Sequence, residues 1–186
     1  MQCYPHVFRC GDDVYMHRAI KLLSAAAVDK ASQVSIDIDP AWQSLEFHVL
    51  RLVRGGTAID QRKSARVTSL PVEDELAERV YRGTVSTNIV LSDVRIGDVV
   101  EYAYTIRSRE TLFPGHFFTR VPLAWGTPIL HQRIRLRSAA DRALRVRVSE
   151  GEPAPMMRRA GNIVEYEVDR ANTPAMSWDS DAPAWY

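Results

Sequence analysis

Only two cysteines occur in 186 residues, and both, Cys3 and Cys10, fall within the first ten. That scarcity excludes a disulfide-framed scaffold and a cysteine-rich metal site. An excess of one charge is missing too: 24 basic side chains stand against 23 acidic ones, for a net charge of +1. Such balance creates no long-range field for nucleic acid or an anionic membrane. No apolar run approaches the roughly 20 residues that a membrane helix needs. Met1 to Gly11 lacks the apolar centre of a signal peptide. Gly55-Gly56 and Gly97 are isolated and form no phosphate-cradling loop. The histidines, His6, His17, His48, His116 and His131, include no i, i+4 pair of the zinc-enzyme kind. The Asp-x-Asp-x-Asp-Gly spacing of a calcium loop is also absent. No cofactor and no metal is therefore expected.

What is present is alternation. Val34, Ile36 and Ile38 alternate with Ser35, Asp37 and Asp39, a half-buried strand ended by Pro40. Tyr15 to Leu23 reads as an earlier strand, and Ser24 to Lys30 as a connection with one helical turn. Leu45 to Arg54 is a strand with apolar residues on both faces: Leu45, Phe47, Val49 and Val53 on one, Leu50 and Leu52 on the other. Gly55-Gly56 predicts a two-residue hairpin into a return strand, Thr57 to Asp60. Arg66 to Leu70 and Thr84 to Leu91 are further short strands. The pattern Val72, Leu76, Val80, with Pro71 at its start and Gly83 after it, predicts one short helix over 71–82. The stretch Ser92 to Arg107 is the organising one: Gly97-Asp98 turns the chain, and Val100, Tyr102, Tyr104 and Ile106 share one face of a long strand.

After an extended piece from Phe117 to Leu123, the last third predicts three strands, Leu130 to Arg137, Ala143 to Ser149 and Asn162 to Asp169, with Gly151 to Gly161 as a loop or hairpin tip. Arg133, Arg135 and Arg137 point one way on the first, Arg145 and Arg147 on the second, and Glu165, Glu167 and Asp169 on the third. Opposite charges across a ladder are favourable. The acidic strand is therefore expected beside an arginine strand. The sum is a mainly β fold, an antiparallel β-sandwich with one short helix. Residues 1–14 read as an N-terminal extension, 15–170 as the domain, and 171–186 as a tail or linker.

Each candidate for chemistry has a plainer explanation. Cys10 with His17, His48 or His116 resembles a nucleophile and base, yet Cys10 leads into a strand rather than a helix N-terminus that would lower its pKa. A free thiol or a local Cys3–Cys10 bridge is the alternative. Asp37, Asp39, Asp93 and Asp98 read as turn caps before they read as paired catalytic carboxylates. The arginine rows read as a self-neutralised face, not a nucleic-acid platform. Trp42 and Trp125 are candidates for a sugar-binding face in a ligand-binding sandwich. Trp178, Trp185 and Tyr186, set among prolines, are candidate docking anchors for a neighbouring domain.

Asp93-Val-Arg-Ile-Gly-Asp-Val-Val-Glu-Tyr102, Val34-Ser-Ile-Asp-Ile-Asp-Pro40, Leu50-Arg-Leu-Val-Arg54, Pro122-Leu-Ala-Trp-Gly126 and Asp181-Ala-Pro-Ala-Trp-Tyr186 together resemble a bacterial family. It is the domain of unknown function that precedes transglutaminase-like domains. The likeness spans about Tyr15 to Tyr186. It implies a β-sandwich with no activity of its own, a structural motif at Asp93, Gly97, Asp98, Tyr102 and Tyr104, and a partner domain of papain-like fold downstream in the same polypeptide. That domain's Cys, His and Asp map onto no position here. The resemblance further implies a bacterial envelope or exported protein, a possible protein or glycan ligand, and no nucleic acid or membrane insertion.

Overall fold

A computed structural model of the chain describes residues 2–3, 6–10, 13–72, 83–109, 119–142, 144–149 and 151–177, with side chains from Asp13 onward. It is mainly β with one short helix among the described residues. Twelve strands form two sheets. They are β1 (Gln2–Cys3), β2 (His6–Cys10), β3 (Asp13–Lys21), β4 (Gln33–Ile38), β5 (Gln43–Arg54), β6 (Thr57–Asp60), β7 (Arg66–Pro71), β8 (Val85–Val90), β9 (Val99–Ser108), β10 (Ile129–Ala139), β11 (Met156–Ala160) and β12 (Ile163–Thr173). The helix α1 spans Ala25–Ala31. The large sheet has the order β11-β12-β10-β1-β3-β9-β5-β6, with β2 also lying between β10 and β3. The small sheet has the order β4-β8-β7. Pairing is antiparallel except where β1 and β2 run parallel to β10.

The core lies between the sheets. Ile20, Leu22, Leu50, Leu52, Val100 and Tyr102 from the large sheet meet Val34, Ile36 and Ile89 from the small one, and Ala27 and Ala31 of α1 seal one side. The faces expected for β4 and β9 are those observed: Val34 and Ile36 are buried while Ser35 and Asp37 are exposed, and Val100 is fully buried. The hairpin at Gly55-Gly56 joins β5 to β6. Both glycines have positive φ, 55° and 83°, as the turn between twisted strands requires.

Strand β5 resolves its own ambiguity. Phe47 pairs with Tyr104 but Val49 pairs with Ala103, so His48 is an extra residue, a β-bulge. The bulge reverses the alternation at that point. Leu45, Phe47, Leu50 and Leu52 thereby all face the core. The two apolar faces predicted from strict alternation are one face with a one-residue slip.

Several expectations are corrected. The described helix is α1, over a stretch expected as a connection with one helical turn. Ser24 caps it, accepting the Ala27 N–H at 3.2 Å, and three alanines follow. Pro71 closes β7 opposite Val85, and residues 73–82 lie outside the described residues. Residues 144–149 carry no strand. Instead Met156–Ala160, expected as a loop or tip, is a strand beside β12. Only Gly161 and Asn162 separate these two strands. Closing so short a loop loses far less chain entropy than pairing β12 with 144–149, so the local hairpin wins.

The charge expectation holds in register. Arg133, Arg135 and Arg137 of β10 stand directly opposite Asp169, Glu167 and Glu165 of β12, and Arg158 of β11 opposes Glu165 from the other side. Glu167 lies between Arg135 at 3.2 Å and Arg133 at 3.5 Å. Glu167→Arg should therefore lower stability by about 1–2 kcal/mol, with part of the loss recovered at high salt. Urea midpoints at low and high salt read this out, and an unchanged midpoint refutes the ladder's contribution.

Candidate functional site

The motif residues Asp93, Gly97 and Asp98 form the turn before β9, and that turn is clamped from three directions. Arg54, the last residue of β5, reaches Asp98 with Nε to Oδ1 and Nη2 to Oδ2, both at 2.9 Å. The same guanidinium donates from Nη1 to Asp93 Oδ2 at 3.0 Å and from Nη2 to the Asp93 carbonyl at 2.5 Å. The Arg95 backbone N–H donates to Asp98 Oδ2 at 2.8 Å, and the Arg95 side chain holds Asp93. The turn is then stitched to the end of β3: Gly97 N–H donates to the Leu22 carbonyl, and Leu22 N–H to the Asp98 carbonyl, each at 2.9 Å. Lys21 Nζ donates to the Gly97 carbonyl. Gly97 has φ 93°, which an L side chain rarely adopts.

Asp98 is only 1% exposed, so its charge depends on these partners. The Arg54 hydrogen bond holds its carboxyl below the ordinary carboxylate range, burial pushes the other way, and the Arg95 N–H adds to the lowering. Asp93 is lowered too, by Arg95 first and then Arg54.

On the far side of the large sheet, β3, β9 and β5 bring His17, Glu101 and Arg51 together. Arg51 Nε donates to Glu101 Oε2 at 2.7 Å, and His17 Nε2 shares a hydrogen bond with Oε1 at 2.9 Å. Burial raises the Glu101 carboxyl, but the bonds from Arg51 and His17 outweigh it and the net shift is downward. Beside them the Tyr15 ring lies 5.8 Å from His48, whose Nε2 is 2.7 Å from Thr105 Oγ1. His131 pairs with Asp169 at 2.7 Å. On the core side the Tyr102 and Tyr104 rings are nearly parallel, with centroids 6.3 Å apart.

A pH dependence follows. Asp98, Asp93, Glu101 and Asp169 all have carboxyls lowered in the folded state. A lowered folded pKa means the unfolded chain takes up protons first. These groups therefore add stability above the unfolded values of about 4, and that stability is lost as the pH falls through the folded values. Thermal midpoints should be flat from about pH 7 to 5 and drop steeply below about pH 4. Asp98→Asn should flatten the acid limb; an unaltered limb refutes the assignment.

The other candidate residues are not brought together. Cys3 pairs with Ile20 and Cys10 with Asp13, seven positions apart along β3. At roughly 3.3 Å per residue that is about 23 Å, far beyond disulfide reach. A local Cys3–Cys10 bridge is therefore ruled out. His17 lies four positions along β3 from Cys10's partner, about 13 Å away. Asp39 caps a turn, accepting the Ala41 N–H at 2.9 Å, and Asp37 is exposed on β4. Trp42 precedes β5, half-exposed, and its carbonyl accepts the Arg109 N–H. Trp125 lies over the Arg18 guanidinium at 4.6 Å. His116, Trp178, Trp185 and Tyr186 lie outside the described residues. Among the described residues no group of three or more His, Cys, Asp or Glu is placed to hold a metal ion. No described helix is long and apolar enough to cross a membrane.

Sequence reasoning missed the buried glutamines. Gln61, 4% exposed, accepts the Ser92 N–H at 3.0 Å and ties the β6–β7 connection to the motif turn. Gln132, 1% exposed, donates to the Pro122 carbonyl at 3.0 Å. Gln132 falls between His131 and Arg133 in the alternation, so its inward direction was legible; for Gln61, in a loop, no periodic signal existed.

These features define a β-sandwich in which a clamped turn feeds a central strand, with Arg51, Arg54 and Arg133 each paired to a carboxylate. The family described as a domain of unknown function with a solved structure, DUF3857, matches residues 11–177. The chain belongs to that family. A crystal structure of a "putative protease" from Parabacteroides distasonis has the same fold, with a TM-score of 0.76 at 14% identity. The match covers 98% of this chain and 37% of that one, so this chain spans little more than a third of that protein's length. No curated protein matches the chain.

Proposed function

We propose that this chain is a non-catalytic accessory module that precedes a transglutaminase-like, papain-fold domain in one polypeptide and packs on it. The observation that carries this reading is the coverage: nearly all of this chain corresponds to 37% of a protein named as a protease, which leaves most of that protein for other domains. The internal pairing of the charged groups agrees with a module that recognises rather than reacts. Arg51, Arg54 and Arg133 are each committed to a carboxylate. The anchors are Trp178, Trp185 and Tyr186. They lie beyond Met176, whose N–H bonds the Trp125 carbonyl at 2.9 Å. Domain interfaces within one chain are semi-polar with aromatic anchors.

The test uses the full-length polypeptide that the gene encodes. Trp178→Ala with Trp185→Ala should speed limited proteolysis between the two domains several-fold and leave the melting of this module unchanged. A reading frame without a papain-like domain, or unchanged cleavage, overturns the proposal.

A further inference from the structure

The large sheet has a seam. Its halves, β11-β12-β10 and β3-β9-β5-β6, do not pair with each other in the described residues; β1 and β2 lie between them. All five residues of β2 are matched on both sides. His6 to Cys10 pair with Arg133 to Arg137 of β10 in parallel and with His17 to Asp13 of β3 in antiparallel fashion. β1 continues the line, with Cys3 between Ile129 and Ile20. Withdrawing this strand would leave two facing rows of unpaired backbone groups in the middle of the sheet. The family match begins at residue 11, so the slot belongs to the shared body and the strand that fills it lies outside the matched stretch.

The geometry points to a strand-acceptor site between β3 and β10, whose second occupant is the same segment from another copy of this chain. Only Gly11 and Asp12 separate β2 from β3. If the chain runs straight through those two residues, β2 leaves its own slot and enters that of a partner. There it makes the same ladder pairs, and the partner's β2 returns the exchange about a two-fold axis. Because the pairs are identical in both forms, only the hinge and the association entropy distinguish them. The balance is then set by concentration. A two-residue hinge biases it further, since short connections favour exchange between copies.

The experiment uses the full chain with Cys3→Ala and Cys10→Ser, and adds His6→Cys and Arg133→Cys. These two positions are direct ladder neighbours, within the Cα separation that a disulfide needs. After incubation over a range of protein concentrations, oxidation and a non-reducing gel report the outcome. The expected result is an intramolecular bridge at low concentration, with a disulfide-linked dimer whose share rises roughly in proportion to protein concentration. A second variant lacks Gly11 and Asp12, which prevents the strand from turning back on β3. It should be a dimer at every concentration by light scattering. Intramolecular bridges alone at all concentrations, or no bridge, overturn the proposal. So does a folded monomer of the deletion variant; if that variant does not fold, the cross-linking result decides by itself.

Discussion

Leu52→Ala should destabilise the domain by about 2–5 kcal/mol, whereas deleting His48 should cost about 1 kcal/mol or less. The asymmetry comes from the bulge. His48 is the extra residue that β5 accommodates while Leu45, Phe47, Leu50 and Leu52 share the core face. With the extra residue gone, strict alternation keeps all four on that face, and Phe47 opposite Tyr104 runs on directly to Val49 opposite Ala103. Leu52 is 1% exposed, so its truncation forfeits apolar burial and leaves a cavity. The deletion loses one exposed hydrogen bond, that between His48 and Thr105. Urea denaturation with unchanged m-values compares the two. Equal destabilisation by the deletion and by Leu52→Ala shows that β5 depends on the extra residue.

Asp98→Ala is the second large effect. It removes both carboxylate oxygens from Arg54 and the acceptor of the Arg95 N–H, at a residue 1% exposed. Breaking a buried pair by removing one member destabilises by about 3–5 kcal/mol. Arg54 retains 29% side-chain exposure and keeps Asp93, so about 3 kcal/mol is expected here. Arg54→Ala should also destabilise, and the double variant should lose less than the sum, with a coupling of about 1–3 kcal/mol. Additive losses within error show that the clamp is not a unit.

What the sequence made legible was local. The Gly55-Gly56 turn fixes β5 and β6 because two glycines admit a backbone that few other residues do. β4 is legible because Val34, Ile36 and Ile38 have one exposed and one buried face. The acidic strand could be paired with β10 because charges must be matched across a ladder. The motif turn was legible as a turn, but its clamp was not: Arg54 is 39 residues from Asp93 in the chain, and no period links them. β2 lies within the stretch read as an N-terminal extension; its strand is not legible, because His6-Val-Phe-Arg-Cys is short and its parallel partner begins at Ile129. The expected strand at Ala143 to Ser149 has the right alternation; it loses its place because β12 finds a nearer neighbour. For α1 the capping serine and the alanine run are visible in the sequence and carry the helical turn expected there.

The seam also sets an order of events during synthesis. β2 needs a parallel neighbour that is made more than a hundred residues later. Until residues 129–139 emerge, β2 has β3 alone to pair with and its other edge stays open. Distant pairings form slowly, and an open edge is what aggregating chains seize upon. The centre of the large sheet therefore stays open until β10 is made, so chaperone demand should persist through most of this chain's translation and fall once β10 is outside the tunnel.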